Sequence, residues 1–273
     1  MGGKEVNIVL LTGDKLEHHY VANKLAASLA LSAIIVDLGI QKSLRSRIRG
    51  LMKKYTFGQL CSRIILRVIH LFTNESKRKR DSMLRVLESG SSLEFLHKDK
   101  VVYVRGINKP DSIDLIGAYL PDLILVYGTG LIGKKIMSIP RLEILNMHTG
   151  ISPFYRGAGC AFWPIYNEQL EYLGATVHQC IADIDGGKIY GTAQAVLDRN
   201  DDMHSVFART VVAGTQLYID VVSRMLEGGI ECVSQDFSLG KEYRASMKQW
   251  WHEIRVKTKI RKGLIRRYLG EER

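Results

Sequence analysis

The chain of 273 residues has little proline (five), few cysteines (four) and no long apolar run. Scarce proline, with 46% apolar and 25% charged residues, excludes collagen-like and disordered classes. A chain of this length buries enough surface to build a core without staples. Cys61, Cys160, Cys180 and Cys232 stand far apart and form no C-x-x-C pair. Their spacing sets a structural zinc site aside, and so low a count fits a reducing compartment. The longest apolar-rich stretch, Ile64–Phe72, carries Arg67 and His70 and is about half the ~18 residues a membrane span needs. A secretory leader is also missing, since Asn7–Leu11 is a short run closed by Thr12-Gly13-Asp14. Met1-Gly2-Gly3 opens like a myristoylation signal, but Val6 stands where Ser or Thr is needed. The expectation is a cytoplasmic protein.

What is abundant is positive charge, +11 overall, and it is unevenly placed. Residues 41–80 hold 12 Lys/Arg against one acid, Glu75, and residues 241–273 hold 11 against four. Everything else carries a net −7. A nucleic-acid enzyme more often spreads basic residues over the face that holds its chemistry. Here the basic segments are accessories to a mildly acidic body.

Short apolar runs alternate with helical spacing. Strands are expected at Glu5–Thr12, Ala33–Asp37, Lys100–Val104, Asp122–Tyr127 and Ile144–His148. Helices are expected at Leu16–Ser32, at Ser112–Leu120 (opened by Asn108-Lys109-Pro110-Asp111) and within Gly128–Met137, a Gly-rich turn entering a helix. Residues 40–95 interrupt this order with basic helical pieces, including Phe57–Phe72 and Lys79–Glu88. Near-continuous apolar strands separated by helices read as an α/β fold, a Rossmann-like, mostly parallel twisted sheet with helices on both faces. After His148 the pattern changes to two strands, Ala175–Cys180 and Ile189–Leu197, around the turn Asp183–Lys188. A long helix, Asp201–Leu226, follows, then a basic extension with Trp250, Trp251, Ile254 and Ile260 as expected anchors. Residues 1–200 are thus expected to form a catalytic domain, and 201–273 a C-terminal helix and short basic extension.

The stretch richest in chemistry runs from Asn146 to Gly157. Asn146 and His148 are two apart on a strand and share a face, at the carboxyl end where open α/β sheets place ligands. Asp185, in a second turn, offers a carboxylate to the same end. An amide, an imidazole and a carboxylate together can move a proton and steady an oxyanion. Spacing leaves a plainer use open, with Asn146 capping the strand and His148 a core histidine. No nucleophile elbow surrounds Ser152 or Cys160. Gly128-x-Gly130-x-x-Gly133 matches a dinucleotide fingerprint, but it follows an interior strand and is a weak signal alone.

Asn146-x-His148 followed by Pro153 and Gly157, then Thr176-x-His178 and Asp185-x-Gly187, resembles the folate-dependent formyltransferase family. The likeness covers roughly residues 100–200 well and the first strand loosely. It departs from the family pattern at Gly150, where the family has Ser, and at Ser152, where it has Leu. The resemblance implies acyl transfer to an amine from N10-formyltetrahydrofolate as co-substrate, with no metal. It implies Asn146 as donor to the formyl oxygen, His148 beside the formyl carbon, passing a proton, and Asp185 as the group orienting and charging that imidazole. It also implies a pterin site walled by Gly128, Thr129, Gly130, Leu131 and Ile132 and by the turn beginning Ile181, Ala182 and Asp183.

Methionyl-tRNA members carry a further C-terminal domain, and under 50 residues follow Leu226, so tRNA is not the expected partner. Glycinamide ribonucleotide members lack the basic insertion. A nucleotide-linked amino sugar, in a surface-polysaccharide pathway, is therefore the expected acceptor. Tyr155, Arg156 and His178 are its candidate contacts, with Arg156 aimed at a diphosphate. Arg156 has an alternative use in an internal salt bridge, and His178 in a structural hydrogen bond. Phe154, Tyr155, Phe162, Trp163 and Tyr166 cluster just after the strand that holds Asn146 and His148, where aromatic faces can stack on a base or sugar or pack a helix on the sheet; packing is the expected use of Phe162 and Trp163. Leu44–Phe72 alternates basic and apolar residues, which suits peripheral contact with an anionic membrane as well as an ordinary surface helix. Family members often pair, so a homodimer is among the expected partners. The rivals are a formyltransferase for another small amine, a formyl-folate hydrolase, a dinucleotide oxidoreductase and a non-enzymatic membrane- or nucleic-acid-binding module.

Overall fold

The structure, a computed structural model, describes residues 6–41, 43–87 and 94–271. Met1–Glu5 and Glu88, on which the leader, myristoylation, first-strand and fourth-helix readings partly rest, lie outside those residues, as does Lys42.

Along the chain come β1 (Ile8–Thr12), α1 (Leu16–Ser28), β2 (Leu31–Asp37), α2 (Leu44–Lys54), α3 (Phe57–Phe72), α4 (Glu75–Leu87) and β3 (Val101–Val104). Next are α5 (Pro110–Ala118), β4 (Leu123–Tyr127), α6 (Lys134–Met137), β5 (Glu143–His148), β6 (Tyr155–Gly157) and α7 (Trp163–Asn167). β7 (Gly174–Gln179), β8 (Ile189–Gln194), α8 (Met203–Leu226), β9 (Lys241–Tyr243), α9 (Trp250–Arg261) and α10 (Leu264–Tyr268) complete it. Seven strands form one sheet in the order β3-β2-β1-β4-β5-β7-β8. The first five are parallel, and β7 runs antiparallel to both of its neighbours, β5 and β8. The expected α/β sheet, covered on both faces, is what is found.

Strand β1 shows why. All five of its residues are buried, and alternate ones enter opposite cores. Ile8 and Leu10 meet Val21, Leu25 and Tyr218, from α1 and α8, whereas Val9 and Leu11 meet Ile116 and Ile136, from α5 and α6. Tyr218 is fully buried; its hydroxyl donates to the Leu145 carbonyl (2.7 Å) and accepts from the Val126 amide (2.9 Å). Helix α8 therefore belongs to the main core, and residue 200 does not divide two bodies.

Helix α1 ends four residues before Ser32, because Leu31 already pairs with Ile8 in the sheet. The segment after Gly240 begins as strand β9, parallel to β6, before α9. A side chain at Gly240 would collide with the Pro153 carbonyl, so glycine lets the returning chain cross the loop. The C-terminal extension docks through Val256, Leu264 and Ile265 against Ile165, Leu170 and Val206. Of the expected anchors, Ile260 packs there, but Trp251 and Ile254 are exposed. The face of α9 that turns inward carries Glu253 and Val256 instead.

The two basic segments meet. Glu253 accepts from His70 (2.7 Å) and pairs with Lys248 (3.2 Å), while Lys257 lies 2.8 Å from Glu75 and 3.1 Å from Glu253. Burial pushes the Glu253 carboxyl up, but Lys248, His70 and Lys257 outweigh it and hold it at about 2. His70, Glu75 and Glu253 have metal-ligand spacing, yet the Lys257 ammonium already pairs with both carboxylates and Lys248 adds a second cation at Glu253.

Candidate active site

The antiparallel register of β5 and β7 sets Asn146 opposite His178 and His148 opposite Thr176, so all four share one face. Thr176 donates to the Gly150 carbonyl (2.7 Å) and accepts from the Ser152 amide (2.9 Å), which pins the loop after β5. A side chain at Gly150 would collide with His148 and Cys160, which accounts for the departure from Ser at that position.

Asp185 is the hub. One carboxylate oxygen lies 3.2 Å from His148 Nδ1 and accepts from the Gly157 amide at 2.8 Å; the other lies 3.4 Å from His178 Nε2. Its turn is shaped for this. Asp185 sits at φ 49°, a left-handed conformation that Asp tolerates better than most residues. A side chain at Gly187 would strike the Gln179 carbonyl, so glycine brings the turn down onto β7. Gln235 donates to the carbonyls of Asp185 (2.8 Å) and Gly187 (2.6 Å) and clamps the turn from outside.

These contacts set the charges. Burial would raise the Asp185 carboxyl, but His148, His178 and the Gly157 N–H hold it at about 2. Burial lowers the His148 imidazole, opposed by the Asp185 charge and the Tyr155 carbonyl. His148 Nε2 faces that carbonyl at 3.0 Å, so both ring nitrogens look at acceptors, and only the protonated ring satisfies both. His178 Nδ1 donates to the Gln179 carbonyl (2.7 Å), and its Nε2 stands 3.1 Å from Asn146 Nδ2. The second Asn146 N–H has no partner among the described residues.

Asn146, His178 and Asp185 close one end of a cavity of about 340 Å3. The rest of its wall includes Thr129, Gly130, Leu131 and Ile132 and the turn residues Ile181, Ala182 and Asp183. Gly128 does not line it. Its glycine, at φ 74°, makes room for the His18 ring, which also packs on Gly13. His18 thus fills the space between the ends of β1 and β4, where a dinucleotide fingerprint would need open backbone. Burial lowers the His18 imidazole to about 4.

His148 reaches the cavity only through Asp185. Tyr155 is buried, with its ring stacked on Tyr243 and its hydroxyl hydrogen-bonded to Gln169 (2.5 Å) and Asn167 (2.8 Å). Tyr155 therefore builds the aromatic core with Phe154, Phe162, Trp163 and Tyr166 instead of meeting a ligand. Arg156 lies 4.2 Å over the Phe237 ring and makes no salt bridge among the described residues. Burial raises the thiols of Cys160 and, to about 11, Cys180, so neither is an activated nucleophile. Sequence reasoning missed Gln235 and the hub position of His178. The first lies 50 residues from its partner and carries no motif, and the second depends on the β5–β7 register.

Residues 62–222, more than half of the chain, match a family model described as formyl transferase. The methionyl-tRNA formyltransferase of Thermotoga maritima is 27% identical over 143 residues, 52% of this chain and 45% of that protein. That of Pelobacter propionicus is 28% identical over 148 residues, 54% and 46%. The chain spans about half the length of the curated relatives it matches. Among solved structures, a sugar N-formyltransferase from a Shewanella species has a TM-score of 0.58 at 10% identity, over 94% of this chain and 88% of that one. An N-formyltransferase from Helicobacter canadensis, in complex with folinic acid and dTDP-3-aminofucose, has a TM-score of 0.55 at 15% identity, over 94% and 80%. At such identities the likeness is one of fold.

Proposed function

This chain belongs to the formyl transferase family, and from that premise we propose that it transfers a formyl group from N10-formyltetrahydrofolate to the amine of a nucleotide-linked amino sugar. The observation that carries this reading is an ionised carboxylate, Asp185, set between two imidazoles at the end of a cavity. The cavity wall fits a flat heteroaromatic ring. Val126, Leu131, Ile132 and Ile181 are apolar, Gly130 and Gly133 expose backbone, and about 340 Å3 falls within the size range of small-molecule sites.

Bound there, the folate supplies a formyl carbon that gains a bond to the amine nitrogen and loses its bond to N10, while one proton passes from the amine to N10. Asn146, held by His178, donates its second N–H to the oxygen on which negative charge builds. Asp185 stays ionised at neutral pH and is too acidic to keep the amine's proton. That proton rests on an imidazole, with His148 on one side of the carboxylate and His178 on the other. Protonation of His148 satisfies the Tyr155 carbonyl and Asp185 together, which suits it to the task.

A basic groove supports the acceptor class. Ala158 and Gly159, just beyond the Gly157 amide that binds Asp185, open onto a cavity of about 290 Å3 with Arg63, Arg67, Arg244 and Lys248 on its wall. Arg67 has no acidic partner among the described residues, and the set suits a diphosphate. The buried Trp163, stacked on Tyr243, forms part of the same wall. A second reading, transfer to methionyl-tRNA, is favoured by the curated relatives.

The test is steady-state transfer to a dTDP-linked amino sugar, to the free amino sugar and to methionyl-tRNA. The proposal expects the nucleotide-linked sugar to be preferred, and the double variant Arg67→Ala/Arg244→Ala to raise its KM about tenfold while sparing the free sugar. Higher kcat/KM on methionyl-tRNA would replace the sugar reading. Folate release without any acceptor would make the protein a hydrolase.

A further inference from the structure

Apart from Arg63 and Arg67 on the acceptor groove, the proposed chemistry leaves the basic segment 41–80 unexplained, and its structure is unusual. No residue of α2 is buried. Leu44, Ile48, Leu51 and Met52 recur at helical spacing along it and all are exposed, Leu44 by 73%. Helix α3 has two apolar stripes. One, through Leu66 and Ile69, faces α9, where Ser62 Oγ also accepts the Trp250 amide at 2.9 Å. The other runs through Phe57, Ile64, Ile65, Val68, Leu71 and Phe72 and meets water, with Phe57 82% and Phe72 86% exposed. A contiguous apolar face of this kind on a folded domain marks an interaction surface.

Its orientation is fixed. A capping box of Thr56 and Gln59 starts α3, and the Glu253 and Glu75 ion pairs fasten α3 and α4 to α9. Cations border the apolar stripes: Arg45, Arg47, Arg49, Lys53 and Lys54 are all exposed. The one acid in the segment, Glu75, is buried against Lys257 and His204, so no carboxylate of residues 41–80 faces outward to offset them.

Charge selects the occupant. A second copy packed through a two-fold axis would press this basic patch against itself. A nucleic acid would answer the cations but leave the Phe, Leu and Ile side chains in water. An anionic bilayer surface answers both, with apolar side chains entering the acyl boundary and basic ones among the headgroups. Among the described residues no helix is long and apolar enough to cross a membrane, so the contact lies on the surface. We propose that α2 and the outer face of α3 dock this protein on anionic phospholipid membranes. The inference does not depend on the reaction assigned above.

The test is flotation of the full chain with vesicles of phosphatidylcholine, with and without phosphatidylglycerol, at low and high salt. Binding is expected to the anionic vesicles only, and to fall with salt. Replacing Arg45, Arg47 and Arg49 by Ser should weaken it on the order of a hundredfold. Phe57→Ser/Phe72→Ser should weaken it at least tenfold, with thermal midpoint and formyl transfer unchanged because both side chains already lie in water. No flotation with anionic vesicles at low salt overturns the proposal. So does a dimer that the double Phe variant dissolves while flotation persists, or displacement from vesicles by an RNA oligonucleotide that binds tighter than the lipid.

Discussion

The cleft and the basic helical layer treat polarity in opposite ways. In the cleft, polar groups converge and are enclosed: Asp185, His148 and His178 are buried or nearly so, and each has a stated partner. In the helical layer the buried polar groups serve only as a clamp, and apolar side chains stand outside. Burial makes a charge expensive unless it is paired, so in the cleft it tunes the ionisation of groups that act on a ligand. Exposure leaves the free energy of apolar contact unspent, available to whatever covers the surface. One region is organised for chemistry and the other for attachment.

Perturbing the two should separate these roles. The largest effect is expected in the cleft, where Asp185→Asn should lower kcat/KM for formyl transfer by about 10^2–10^4 while the fold persists. Comparable in free energy, but in stability, is Glu253→Gln. Removing one partner of a buried ion-pair cluster costs roughly 3–5 kcal/mol, and urea unfolding should report it without a matching loss of turnover in the folded protein. The wild-type clamp also has a pH signature. The Glu253 pKa is lowered in the folded state, so its contribution is complete above the unfolded carboxylate value of ~4.3 and is lost as pH falls toward about 2. Acid unfolding followed by Trp250 and Trp251 fluorescence should begin in that window.

A smaller effect concerns the rate profile. His148 is lowered below its ordinary value, so the acid limb of kcat/KM should lie below pH ~6.5. The Asp185 charge raises His148 against burial, so Asp185→Asn should move that limb to still lower pH. His148→Gln should remove that limb, and His178→Gln should leave it in place. Smallest of all is the outer face of α3, where Phe57→Ser/Phe72→Ser should change stability by less than about 0.5 kcal/mol.

The sequence made the sheet legible because strands buried on both faces read as apolar runs, as in Ile8–Leu11 and Leu123–Tyr127. Helix α3 matches its expected ends, since Thr56 and Thr73 flank a clear apolar period. Ribbon β6–β9 was not legible: its strands are three residues each and pair across a long stretch of chain. The inward face of α9 was misjudged because hydrophobicity pointed to Trp251 and Ile254, whereas ion pairs turned Glu253 inside. In the site, the family resemblance named Asn146, His148 and Asp185 where spacing alone left plainer uses open, and the structure brings the three side chains together. Tyr155 was misplaced because nothing local reveals that Gln169 and Asn167 satisfy its hydroxyl. The strand pattern alone gave His178 two uses, and only the β5–β7 register joins it to Asn146 and Asp185.

The most direct check on the central claim is a single-turnover assay with N10-formyltetrahydrofolate and a dTDP-linked amino sugar, read by mass gain of the sugar and by folate release. The account predicts one formyl gained per folate released, both slowed together by at least about a hundredfold in Asn146→Ala and Asp185→Asn proteins that still bind a folate analogue. Transfer at an undiminished rate in those two variants would contradict it.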